Sequence, residues 1–252
     1  MNGGKYNDNR KSALRQSARA EERKVKKVIK VALVSVCLIA VLSAAACAKG
    51  DDVLMQSVSE YRNSVLVGKN ERFSAEIISG YRENPFEIDG KSGEKSDYTL
   101  ITITPSRAMS DKTLSVSLSA DGKKTEGNAV RHPYKDSYSF EFMSKTECQS
   151  AVLTVSDGNS DCEIELSCVR KEGEISGYDA MKATLNELSE SLAPYMSDGK
   201  FNGEIFIRYV SNPIGDDGKY YWYVSFVPEV APDKTIASLV DVVSGRITAS
   251  RK

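Results

Sequence analysis

His132 is the single histidine of this 252-residue chain, set in Arg131-His132-Pro133-Tyr134. Imidazole is the side chain best suited to moving a proton near neutral pH, and as a base it activates a neighbouring hydroxyl or thiol. No Ser or Cys here stands in a recognisable nucleophile elbow, so His132 reads as a loop residue and no catalytic residue is nominated. Cys148, Cys162 and Cys168 supply thiols, the softest metal ligands. They lack C-x-x-C spacing and lie far in sequence from His132, so no metal site is expected. Asp216-Asp217-Gly218 has the carboxylates and turn glycine of a calcium loop's start, but the remaining oxygen donors at fixed spacing are absent. It reads as a hairpin turn. Phosphate-cradling loops and dinucleotide fingerprints are missing, so no cofactor is expected.

The same thiols have a structural use. Val152–Ser156 and Glu163–Ser167 read as two strands joined by Asp157-Gly158-Asn159-Ser160-Asp161. Antiparallel pairing about that turn sets opposite each other residues whose numbers sum to about 316 or 317. Cys148 then falls opposite or next to Cys168, the candidate disulfide, while Cys162 faces the Thr154–Ser156 region; a slip of one residue reverses the faces. An odd count of three argues against a dense disulfide framework. In Tyr220-Tyr221-Trp222-Tyr223, alternation sends Tyr220, Trp222, Val224 and Phe226 to one face and Tyr221 and Tyr223 to the other. The first face suits a core. Tyr221 and Tyr223 are the candidate partner-binding aromatics, since exposed rings suit glycan or peptide contact.

Strands must position these groups over most of the chain. From about Glu71 to Val169 the pattern has period two, with strands expected at Phe73–Ile78, Tyr98–Thr104, Leu114–Ser119, Tyr138–Phe142, Ala151–Ser156 and Glu163–Cys168. Six or seven short strands in residues 70–170 predict an antiparallel β-sandwich, which resembles the immunoglobulin-like sandwiches in pattern without their Trp-and-Cys core signature. The pattern changes at Glu172. Ser176-Gly177-Tyr178-Asp179 has the layout of a helix N-cap, and Tyr178, Met181, Leu185, Leu188 and Leu192 follow at helical steps until Pro194. Strands at Glu204–Val210, Lys219–Val227 and Thr235–Val243 complete residues 171–252. The expected fold class is mainly β with an α+β C-terminal part, one helix packed on a small antiparallel sheet.

Those C-terminal residues resemble a PepSY-type module. The matching parts are the amphipathic helix, Tyr221-Trp222-Tyr223-Val224-Ser225-Phe226, and the ending Val240-Asp241-Val242-Val243-Ser244-Gly245-Arg246-Ile247. That ending is similar to the family's V-D-x-x-T-G-x-I hairpin, with Ser244 in place of Thr and a longer loop at Pro228–Lys234. The resemblance covers under a third of the chain. It implies a non-enzymatic binding or regulatory module, in some relatives acting on peptidases or cell-wall enzymes, and it transfers no catalytic residue.

Charge divides the N-terminal part from the rest. Residues 1–30 carry ten Lys/Arg against three Asp/Glu, out of totals of 34 and 35, leaving 24 against 32 in the remainder. Val31–Ala48 has no charge, and as a helix would span about 27 Å, near the hydrocarbon thickness of a bilayer. The basic head should stay in the cytoplasm, with the acidic body outside it. Leu42-Ser43-Ala44-Ala45-Ala46-Cys47 resembles the lipobox of bacterial lipoproteins, which would make Cys47 a lipid anchor; Ala44 stands where that family usually has a larger aliphatic residue. A retained transmembrane anchor and a cleaved signal are the alternatives. Residues 49–69 read as a stalk. The expected partners are the membrane and an envelope protein or cell-wall component, and the acidic body disfavours nucleic acid. Together these features predict a membrane-tethered, extracytoplasmic binding or regulatory protein of the bacterial cell envelope. The alternatives are a single-pass sensor signalling through its basic head and, less favoured, an exported hydrolase.

Overall fold

The computed structural model describes residues 53–109, 113–215 and 217–252. The basic head, the apolar segment 31–48 and Cys47 lie outside the described residues. Among the described residues no helix is long and apolar enough to cross a membrane.

Alternation fixes the inside of the first half. In β4 (Leu114–Ala120), Leu114, Val116 and Leu118 are buried while the serines between them turn outward. The same period-two pattern runs through β2 (Phe73–Glu83), β3 (Lys95–Pro105), β7 (Ser150–Ser156) and β8 (Asp161–Cys168). β5 (Lys123–Arg131) and β6 (Tyr138–Phe142) complete this set, and β1 (Val58–Lys69) closes it. The hydrogen-bonded order is β1-β2-β3-β6-β5-β4-β7-β8, and β8 returns to β1 through Leu66–Cys168 and Val67–Ser167. An eight-stranded ring has an interior just wide enough for side chains to fill. Here the filling includes Leu66, Phe73, Ile77, Ile101, Tyr138 and Leu153.

The sheet does not end at the ring. β11 (Gly203–Ser211) lies parallel to the first half of β1, pairing Val58 with Ile205 and Arg62 with Arg208. β12 (Tyr220–Pro228), β13 (Ile236–Asp241) and β14 (Ile247–Arg251) follow antiparallel. A short ribbon, β9 (Met196–Ser197) and β10 (Lys200–Phe201), stands apart from this sheet. Helix α1 (Gly177–Glu187) packs on β11, β12 and β13, followed by a turn, α2 (Ser189–Leu192). Ser176 and Asp179 form a reciprocal capping box at its start.

Two features set how α1 docks. A Cβ on Gly177 would lie 2.7–2.8 Å from side-chain atoms of Tyr61, Ile207 and Trp222, so only glycine allows this approach. Thr184 is fully buried because its hydroxyl donates to Ala180 O (2.9 Å) and meets Ser238 Oγ at 2.6 Å. The buried stripe is therefore Gly177, Ala180, Met181, Thr184 and Leu188, and the expected Tyr178 and Leu185 sit half-buried at its margin. The core beneath contains Val65, Tyr209, Trp222, Val224 and Phe226.

An immunoglobulin-like sandwich followed by an α+β C-terminal part is therefore not what forms. Strands make up 53% of the described residues, enough for a closed eight-stranded antiparallel barrel and a further run of strands on the same sheet. Alternation marks which face of a strand is buried but not which strand it pairs with, so it serves a sandwich and a barrel equally. The residue range read as a stalk contains β1, the strand that closes the ring. Val65 and Leu66, adjacent on β1, belong to the two different cores. Leu54–Lys252 accordingly forms one compact unit.

Candidate functional site

Two irregularities in β1 shape the junction between ring and extension. Its register slips against β11 between Val58 and Glu60, and against β2 between Arg62 and Ser64. Between these slips, one row crosses the sheet through paired neighbours: Leu239, Tyr223, Arg208, Arg62, Gly80 and Tyr98. Gly80 has no side chain, and a Cβ there would meet Tyr61 O at 2.0 Å. Nothing therefore separates Arg62 from Tyr98.

Arginines directly opposite each other repel, and the row is stable because a carboxylate sits beside it. Glu60, 1% exposed, accepts from the Arg208 Nε, from Arg62 Nη2 at 3.1 Å and from the Tyr98 hydroxyl at 2.6 Å. Burial pushes the Glu60 carboxyl up, but Arg208, Arg62 and Tyr98 outweigh it and hold the group below the usual carboxylate range. Burial and the Glu60 charge push the Tyr98 phenol upward, so it stays a donor. A carboxylate with a depressed pKa stabilises the fold above its unfolded value, and that contribution is lost as pH falls through the folded one.

Two guanidiniums share one carboxylate, so the cluster keeps a surplus positive charge. Arg62 and Arg208 side chains are 24% and 21% exposed, enough to meet a ligand. Aromatic rings flank them. Arg208 lies 4.8 Å over the Phe206 ring, Phe86 meets Phe206 edge-on at 6.2 Å, and Arg82 sits 4.6 Å over Tyr98. Part-exposed guanidiniums beside aromatic faces suit a carboxylate or phosphate on a larger molecule, although the Arg62 Nε is itself buried without a partner.

Tyr223 belongs to this row beside Arg208, half-buried; Tyr221 lies one step along β12 on the same face, between Val210 and Asp241. Trp222, Val224 and Phe226 on the opposite face are fully buried. The arginines and Glu60 carried no sequence signal. Glu60 and Arg62 fall in the range read as a stalk, and charged residues on an alternating strand look like any solvated face.

Cys148 and Cys168 meet elsewhere, in a groove of about 810 Å³ where β1 leaves β11 and joins β8. The β7–β8 register is the one whose paired numbers sum to 317, and Cys168 N–H donates to Gln149 O at 2.9 Å just beyond the ladder. Both cysteines are free thiols in this structure, as is Cys162, which pairs across from Val155. Burial first, then Asp121 and Cys168, pushes the Cys148 thiol up, and a thiol held protonated is a weak nucleophile. Asn63 on the groove floor donates to Glu147 at 3.1 Å, while its own Oδ1 is buried without a partner.

The remaining sequence candidates are structural. His132 lies in the β5–β6 turn, where its Nδ1 accepts from Tyr134 N–H at 3.2 Å. Asp217 accepts from Asn212 Nδ2 (3.0 Å) and Lys219 N–H (3.1 Å), closing the β11–β12 hairpin; Asp216 lies outside the described residues. Among the described residues no three His, Cys, Asp or Glu side chains are placed to hold a metal ion. Searches of family models, of curated proteins and of solved structures find no match to this chain.

Proposed function

We propose that the chain is a membrane-tethered, extracytoplasmic binding protein of the bacterial cell envelope, and that its junction row grips anionic groups of a cell-wall polymer. The observation that carries this reading is the pair Arg62 and Arg208 sharing the single carboxylate of Glu60 beside Tyr223. One guanidinium charge is left over, and an anion with a sugar or peptide backbone can use both that charge and the ring. The tether rests on the sequence: a charge-free Val31–Ala48 behind a basic head. The PepSY resemblance of residues 171–252 points the same way, toward binding rather than chemistry.

Full-length protein in detergent micelles should co-sediment with insoluble Gram-positive cell wall. Arg62→Gln and Tyr223→Ala should each weaken retention about tenfold, the equivalent of about 1.4 kcal/mol. Added salt should weaken it further, because part of the attraction is screened. Retention equal to wild type in both variants would remove the row from the binding site.

The tether has its own measurement, the intact mass of protein extracted from its native membrane. A lipid-modified chain beginning at Cys47 is the expected product of lipobox processing, and a mass for all 252 residues would instead keep the basic head in the cytoplasm. An unlipidated mass beginning after residue 46 would end the proposal of a tether.

A further inference from the structure

Glu83 ends β2 and Glu204 lies near the start of β11; they are 3% and 0% exposed. Each spends one oxygen on the loop that joins β2 to β3. Glu204 Oε2 accepts from Gly90 N–H at 2.6 Å, and Glu83 Oε2 accepts from Gly93 N–H at 2.7 Å. Loop 84–94 is thus tied at two points to the ends of two strands. No side chain fits at residue 90 in this contact, because a Cβ there would lie 2.6 Å from the Glu229 backbone.

The other oxygen of each carboxyl is unaccounted for. Glu83 Oε1 and Glu204 Oε1 are buried without hydrogen-bond partners, and so is Ser59 Oγ in the β1 bulge. Glu83 is close enough to Glu204 to act on its carboxyl, and two ionised carboxylates side by side out of water repel strongly. A carboxylic acid carries one O–H donor, which is what two facing acceptor oxygens lack. We propose that Glu83 and Glu204 hold one proton between them, that this proton latches loop 84–94 over the junction, and that its loss at alkaline pH releases the loop.

A cation in place of the proton would need water to complete its shell, since Mg²⁺ takes six ligands and Ca²⁺ six to eight, and EDTA in the titration removes it. Among the surrounding charges, Lys95 of β3 is the cation whose field reaches Glu83; its Nζ hydrogen-bonds Gln56 O at 2.8 Å rather than either carboxyl, so its charge offsets the pair from a distance. Glu60, next to Ser59 on β1, is held by its own two arginines. Asp89, Lys91 and Glu94 ride on the loop itself, exposed, and Glu229 follows β12 on the surface. Neither carboxyl has an ion-pair partner among the described residues.

Burial, and then the hydrogen bond and charge of Glu83, raise the Glu204 carboxyl to about 7, against the lowering effect of the Gly90 N–H and the Ser59 hydroxyl. The folded value lies above the unfolded one, so the latch's contribution is complete below the ordinary carboxylate range and is lost as pH rises through about 7. Loop 84–94 carries Phe86 and Ile88, 37% and 55% exposed, with Phe86 against Phe206. Releasing it withdraws Phe86 and opens the edge of the Glu60–Arg208 cluster.

The test is amide NMR of the full-length protein in micelles, with EDTA present, between pH 5 and 9. Gly90 and Gly93 N–H resonances should titrate together with one midpoint near 7, and exchange protection across the loop should fall by up to about tenfold per pH unit as pH rises toward it, then level off. In Glu204→Gln the carboxamide donates to Glu83 without a removable proton, so both resonances should stop titrating while the loop stays protected. Glu83→Gln should do the same from the other side. Flat wild-type resonances over this range would overturn the proposal, as would a midpoint that survives in both variants. Should either variant fail to fold, the wild-type titration decides by itself.

Discussion

Trp222→Ala should cost about 3–5 kcal/mol of stability, which for a domain of ordinary stability, about 5–15 kcal/mol, is a large fraction of the whole. Trp222 is fully buried under α1. Its indole donates to Ile175 O at 3.0 Å, stacks on Tyr61 with centroids 6.1 Å apart, and receives the edge of Tyr209 at 5.2 Å. Arg170 lies 5.6 Å over the ring. Truncation leaves a cavity that the neighbouring strands cannot fill, since Tyr209 and Tyr61 are themselves held in β11 and β1. Denaturant unfolding followed by circular dichroism measures this directly; Trp222 is the only tryptophan, so its fluorescence follows the wild type alone. A midpoint within experimental error of wild type would show that this core does not stabilise the extension.

Gly68→Ala should open the ring. A Cβ at residue 68 would stand 2.1 Å from the Glu165 carbonyl oxygen and 3.1 Å from Ile164 Cγ2. Glu165 is fixed by its pairing with Val152, so backbone meets backbone and no rotamer relieves the contact. The pairing of β1 with β8 gives way first, because it comprises two residue pairs while β1 and β2 share a long ladder. Overpacking of this kind costs about 1–3 kcal/mol, and a backbone clash belongs at the upper end. Hydrogen exchange should quicken at Val169, whose N–H donates to Val65 O on β1 at 3.0 Å, while β12 and β13 keep their protection. Equal loss in both regions would mean that ring closure is not separable from the rest.

Much of the strand pattern was legible, but its assembly was not. Leu114, Val116 and Leu118 alternate with serines so cleanly that β4 could be read from spacing, and the β7–β8 turn at Asp157–Asp161 narrowed the register to two choices, of which the ladder keeps one. β5 was missed because it buries little: Lys123, Lys124, Glu126 and Asn128 face solvent, and their polarity hides the alternation. β1 was missed for a different reason. Glu60 and Arg62 interrupt its apolar pattern, and they do so because the junction requires a carboxylate and a guanidinium inside the sheet. The residues that defeat the pattern are those that build the candidate site. Glu83 and Glu204 were equally silent, since a buried acid and an exposed one are spelled alike.

The parallel pairing of β1 with β11 also dictates an order of assembly. The ring draws only on segments up to Cys168 and can close early, whereas Val58 waits for Ile205, with most of the chain between them. Until then the first half of β1 presents an open edge, a template for stray strand pairing. A polypeptide emerging N-terminus first therefore passes through a stage with a finished ring and an unguarded flank, and contacts this distant in sequence form slowly. Whatever holds that flank in the meantime has as much say in the yield of folded protein as any residue of the final core.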